Sequence, residues 1–245
     1  MSYTYVDNDN EQVAEPQEPM QAIVFPTPVY TYVLLACIIG VTVVQFATGL
    51  DQSILAAGFD KIAFVRDHEY WRVITGAATH GNLPHILMNS WALYSFGRIV
   101  EVLTNRAHLA IVFLLSAIGG SLLSLAFAPG GISVGASGGI VGLIGYLAIY
   151  AFRRRQFISP EFRRSLLINI AFILVFGLIL YQVVDNWGHI GGLLTGAVYG
   201  LVQIPGDEYK DPRIGRPGTE MVGLAALGIF IAASIFAILL MFRVI

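Results

Sequence analysis

The sequence predicts an all-α polytopic membrane protein, and three observations carry that prediction. Of 245 residues, 56% are hydrophobic and only 12% are charged, whereas a soluble domain carries about 25% charged residues. The mean hydropathy is +0.71, so lipid rather than water is the natural solvent for most of the surface. Apolar runs close to the ~20 residues that a spanning helix needs recur along the chain.

Taken in order, residues 1–25 hold five acidic residues and no Lys or Arg. They read as a disordered acidic tail with no signal-peptide pattern. Seven spans follow, at about 29–49, 84–103, 107–127, 137–152, 166–184, 187–204 and 221–243. Between the first two, residues 50–83 are too amphipathic to span and too apolar for a plain loop, with Phe59, Ile62, Phe64, Tyr70 and Trp71. Such a segment belongs at the interface or re-entering the membrane. Residues 26–204 thus form a six-span core with a long first loop. Residues 205–220 are a polar linker containing Pro and Gly, and 221–245 carry the last span. No inverted repeat of the transporter kind is visible.

With the N-terminus inside, the inner connections hold Arg98, Arg106, Arg153, Arg154, Arg155, Arg163, Arg164, Lys210, Arg213 and Arg216. The outer side holds Lys61, Arg66, Arg72 and Arg243. Ten against four predicts a cytoplasmic N-terminus. A chain with no targeting segment fits a prokaryotic plasma membrane. The net charge of −2 offers no footprint for nucleic acid. The single cysteine, Cys37, excludes a disulfide within the chain.

In this topology the second, fourth and sixth spans begin on the same, outer side. Their opening residues are the polar ones: His80, Asn82, His85 and Asn89; Gly135 to Gly139 around Ser137; and Asp185, Asn186 and His189. Ionisable and amide side chains at membrane depth are costly and usually mark function. Gly138, Gly139, Gly142 and Gly145 in the fourth span, and Gly188, Gly192, Gly196 and Gly200 in the sixth, leave smooth stripes that permit close backbone approach. If the stripes meet, Ser137 comes within reach of His189. A serine hydroxyl needs such a base to become a nucleophile, and histidine titrates near working pH. The fourth span is also short, so Ser137 is expected below the outer surface. His85 and Asn89 are four apart and share a helix face. With the Ser137 amide they can donate to a developing oxyanion.

Gly135-Ala136-Ser137-Gly138, His85-x-x-x-Asn89, Gly188-His189-Ile190-Gly191-Gly192 with Gly196, and Trp71-Arg72 in the first loop all occur in this chain. This set resembles the motifs of the rhomboid family over about residues 60–200, and the motifs stand in the family's order. The resemblance implies a six-helix core with one added C-terminal helix. It implies a serine protease acting through a Ser137–His189 dyad without a catalytic acid, with His85, Asn89 and the Ser137 amide lining the oxyanion hole. Trp71, Arg72 and Glu101 would shape the first loop, and Gly135, Gly192 and Gly196 would be structural. Substrates would be single-pass transmembrane proteins cut in or near the membrane, with no cofactor and no metal, and membrane lipid as the surrounding partner. The chain departs from the family pattern at Gly188, usually Ala, and at Val141, where some members place an aromatic residue.

Other readings stand beside this one. Serine and histidine in such helices are often packing or hydrogen-bonding residues, and Asp185, one turn before His189, fits a helix cap better than a third catalytic member. A zinc protease would use His80, His85 and His189 with Asp185, but the chain lacks H-E-x-x-H. A catalytically inactive relative that binds membrane helices, or a small transporter, completes the alternatives.

Overall fold

The computed structural model describes residues 27–243 apart from residue 208, so the acidic tail at 1–25 lies outside the described residues. Apolar segments become helices here because hydrocarbon offers no partner for backbone N–H and C=O groups. In chain order the elements are α1 Val29–Thr48, α2 Leu50–Ala57, β1 Phe59–Asp60, α3 Lys61–Arg66, α4 Arg72–Ala78, α5 Leu83–Leu103, α6 Arg106–Phe127, β2 Ile132–Ser133, α7 Ser137–Arg153, α8 Pro160–Ile179, α9 Asn186–Gln203 and α10 Pro217–Met241.

Helix starts follow their caps. Asn82 accepts from the His85 N–H at 2.9 Å to open α5, and Asn105 accepts from the His108 N–H at 3.1 Å to open α6. Ser159 caps α8, with Pro160 at its first position and Glu161 in its first turn. That signal moves the start of the fifth span from 166 back to 160, because Arg163 and Arg164 are polar members of a helix rather than part of a loop. The same helix ends at Ile179, and residues 180–184 turn instead of continuing it. Pro217 likewise starts α10 four residues before the apolar run.

Residues 50–83 are built, not slack. Thr75 donates to the Ala57 carbonyl at 2.7 Å, and the buried Arg72 donates to the carbonyls of Leu55 (3.0 Å) and Gly58 (2.8 Å) while pairing with Glu69. Arg72 thereby closes the end of α2. Trp71 meets Phe236 of α10 edge to face, with ring centroids 5.7 Å apart. A short antiparallel pairing, Phe59 with Ser133 and Asp60 with Ile132, ties this loop to the segment just before α7. Glu101, buried on α5, accepts from the Thr31 N–H at 2.9 Å, placing an anion at the N-terminal end of α1.

The core centres on α6, α7 and α9, where Leu109, Phe113, Leu143, Ile144, Tyr146 and Leu147 are fully covered. Helix α10 lies on α6 and α1, with Phe113 and Phe230 edge to face at 5.1 Å. Helix α8 is the outlier, with only 11% of its apolar window buried inside the protein. Among the described residues four helices, α1, α6, α8 and α10, are long and apolar enough to cross a membrane on those grounds alone. The other three of the seven predicted spans, α5, α7 and α9, carry the polar residues singled out above, and α7 has just 17 residues.

Candidate active site

The turn into α7 sets the position of Ser137. Gly135 has φ of +119°, a conformation open to glycine and strained for other residues, and its N–H donates to the Gly76 carbonyl at 2.9 Å. Ser137 is then the first residue of α7, so its N–H lies outside the helix's own hydrogen-bond ladder. His189 sits one turn into α9. Its Nε2 lies 2.9 Å from Ser137 Oγ.

Backbone approach makes that distance possible. A Cβ on Gly192 would run into the Gly138 carbonyl, and one on Gly196 into the Gly142 carbonyl, so α7 and α9 touch main chain to main chain. The glycine stripes of these two helices do meet. Sequence reasoning misses the third member of the junction. A Cβ on Gly120 of α6 would stand 2.5 Å from the Gly188 carbonyl, and one on Gly191 would stand 2.6 Å from the Gly119 carbonyl. The Gly119-Gly120 pair is its visible signal.

For Nε2 to accept the serine proton, Nδ1 of His189 must carry the ring hydrogen. That nitrogen is buried without a hydrogen-bond partner among the described residues. Asp185 does not supply one. Its carboxylate caps α9 by accepting from the Gly188 N–H at 2.9 Å, and also accepts from Ser133 Oγ at 2.6 Å and from Ser124 Oγ. Lys61 Nζ, nearly enclosed, lies 3.9 Å away. Burial alone would raise the Asp185 carboxyl, but the Ser124, Ser133 and Gly188 donors together with Lys61 outweigh it and hold it below the ordinary carboxylate range. Burial conversely lowers the Lys61 ammonium, and Asp185 offsets part of that. Asp185 therefore joins the first loop, α6, β2 and α9 at the residue that starts the histidine-bearing helix. Nothing in the sequence pattern points to Ser124, Ser133 and Lys61 as its partners. Asp185→Ala is expected to lower thermal stability by about 1–3 kcal/mol, from the lost cap and the unpaired buried lysine. A melting curve in detergent checks this, and a variant as stable as wild type would dismiss the hub.

His85 and Asn89 converge on the Gly135 turn. A Cβ on Gly135 would lie 2.7 Å from His85 Nε2 and 3.4 Å from Asn89 Nδ2, a second reason for glycine there. The Asn89 amide nitrogen is buried and lacks a hydrogen-bond partner among the described residues. A buried donor left unpaired costs about 1–3 kcal/mol, so the fold retains it against its own stability. The Gly81 N–H donates to His85 Nδ1 at 3.4 Å, which leaves the ring hydrogen on Nε2, facing Gly135. His80 backs this imidazole edge-on at 5.1 Å. Gln45 of α1 clamps the His80 backbone, accepting from its N–H at 2.9 Å and donating to its carbonyl at 3.2 Å. His80 thus braces the start of α5.

Beside Ser137 and His189 lies a cavity of about 40 Å³ bounded also by Phe59, Gly135, Ser133 and Asp185. That is room enough for water. Trp71, Arg72 and Glu101 stand apart from this cluster, in the first loop and against α1.

Comparison with known proteins agrees with this architecture. A rhomboid-domain family model matches residues 67–206, more than half of the chain, from within the first loop to just past α9. The chain is 30% identical over 187 residues to the "Rhomboid protease GluP" of Bacillus subtilis, covering 74% of this chain and 36% of that protein. It is 36% identical over 140 residues to "RHOMBOID-like protein 6, mitochondrial" of Arabidopsis thaliana, covering 56% and 45%. With "Rhomboid-like protease 3" of Toxoplasma gondii it shares 32% identity over 130 residues, covering 52% and 49%. The chain spans about a third to a half of the length of curated relatives such as these, from 32% to 52%. A domain match containing α5 to α9 in full, on a bundle of helices suited to lipid, makes the chain an integral membrane protein of the rhomboid family.

Proposed function

We propose that the chain is an intramembrane serine endopeptidase that cuts transmembrane segments of single-pass membrane proteins. The 2.9 Å contact between Ser137 Oγ and His189 Nε2 carries the reading. His189 takes the Ser137 proton as Oγ attacks the scissile carbonyl carbon. The tetrahedral oxyanion is received by Asn89 Nδ2, His85 Nε2–H and the Ser137 N–H. Collapse breaks the C–N bond, and His189 returns its proton to the leaving amine. Water then attacks the acyl ester, with His189 again taking and returning the proton, and frees Ser137. The adjoining cavity, which Ser133, Ser137, Asp185 and His189 help to line, supports a local water supply inside a hydrophobic protein. Asp185 stays outside the proton path, because its oxygens are engaged elsewhere. The distribution of Lys and Arg supports a cytoplasmic N-terminus and a site toward the outer face.

The test is labelling of the purified protein in detergent with a fluorophosphonate probe. Wild type should label, and Ser137→Ala and His189→Ala should not. A folded wild-type protein that fails to label would favour a catalytically inactive, helix-binding relative. Asn89→Ala is expected to reduce turnover by about 10²–10³, the cost of one oxyanion donor. Unchanged kcat on a transmembrane substrate in proteoliposomes would remove Asn89 from that role.

A further inference from the structure

The end of the bundle opposite Ser137 holds a second cavity, of about 240 Å³, between the C-terminal turns of α5 and the start of α8. Its apolar wall includes Ile99 and Val102 of α5, Phe157 of the connecting loop and Phe162 of α8, and its polar members are Arg98 and Ser159. Arg98 is exposed and makes no ion pair among the described residues, its nearest partner being the Tyr94 ring at 5.9 Å. Glu101, one turn further along α5, is turned to the Thr31 N–H. Glu161 in the first turn of α8 is exposed and is not part of the lining, but its carboxylate engages the Ser159 hydroxyl, which leaves Arg98 as the free polar group of the cavity. The same end of the bundle carries Arg153, Arg154, Arg155, Arg163 and Arg164.

An arginine without a counter-anion beside an apolar wall matches a ligand with a phosphate at one end and hydrocarbon at the other. This end is where spanning helices meet the headgroup layer, and basic pockets between helices at that level bind anionic headgroups. We infer that the cavity seats one anionic phospholipid, its phosphate on Arg98, and one acyl chain along the wall of Ile99, Val102 and Phe162. A zwitterionic lipid fits less well, because its cationic group would share the phosphate's arginine-rich surroundings. The lipid bridges α5 to α8, the helix with the least cover from the rest of the protein. This inference does not rest on the peptidase reading, and Ser137→Ala should bind lipid as wild type does.

Native mass spectrometry of the full chain in detergent, with added phosphatidylglycerol or phosphatidylcholine, reads the site directly. Wild type should retain one phosphatidylglycerol with an affinity about fivefold or more above that for phosphatidylcholine, the preference expected from one interfacial arginine. Arg98→Gln should erase that preference without altering melting of the lipid-free protein. Val102→Trp, which fills the cavity, should abolish retention of the single tight lipid. Equal retention of the two lipids by wild type, or an undiminished preference in Arg98→Gln, would overturn the assignment. Displacement of phosphatidylglycerol by inorganic phosphate alone would also overturn it, by making the site one for small anions.

Discussion

Ser137→Ala is expected to lower cleavage of a transmembrane substrate in proteoliposomes by on the order of 10⁴-fold or more, with fold and expression unchanged. The substitution removes one oxygen from the start of α7 and leaves the glycine junction intact. Residues that act as one nucleophilic unit are not additive, so His189→Ala should fall to a similar floor and the double variant no further. The residual rate would come from binding and from the oxyanion donors alone. A Ser137→Ala protein that keeps more than a few per cent of wild-type turnover would mean that another group is the nucleophile. A double variant far below either single one would mean that the two side chains act separately.

Gly196→Val should damage the fold rather than the chemistry. The contact at this point is between main chains, and a side chain on Gly196 would collide with the Gly142 carbonyl rather than with a flexible side chain that can move aside. Overpacking a well-packed interior costs about 1–3 kcal/mol, and a rigid neighbour places this site at the upper end. The expected loss is therefore about 3 kcal/mol of stability, read from unfolding in mixed micelles. Gly228→Ala in α10 is the control, because nothing lies within 4 Å of a Cβ there. That change should be neutral or slightly stabilising, since alanine favours helix by up to about 1 kcal/mol over glycine. If Gly196→Val unfolds no more readily than the Gly228→Ala control, the tight α7–α9 contact does not exist in the membrane.

Much of this architecture is legible in the amino-acid order. Seven helices follow from local apolar runs, and of the residues that break the apolar pattern His189 meets Ser137 while His85 and Asn89 meet the Gly135 turn before it. The departures are equally physical. Hydropathy places the start of the fifth span six residues late, because Arg163 and Arg164 resemble loop residues, whereas Ser159 and Pro160 cap and start a helix irrespective of hydropathy. The first loop reads as an undefined amphipathic segment, because its order comes from Arg72 and Thr75 reaching backbone carbonyls 14 to 18 residues away.

The sequence by itself determined the solvent of this protein, the number and order of its apolar helices, and which of them begin with polar residues on one side. Those properties depend on composition and on periodicity within a single helix, where neighbours in sequence are neighbours in space. The tertiary structure alone decided that α6 shares the glycine junction, that Asp185 answers to Ser124, Ser133 and Lys61 rather than to His189, and that Ser137 Oγ and His189 Nε2 stand 2.9 Å apart. Each of these is a contact between segments 52 or more residues apart. Such contacts depend on which backbones can approach closely, and that is settled only when all the helices pack at once.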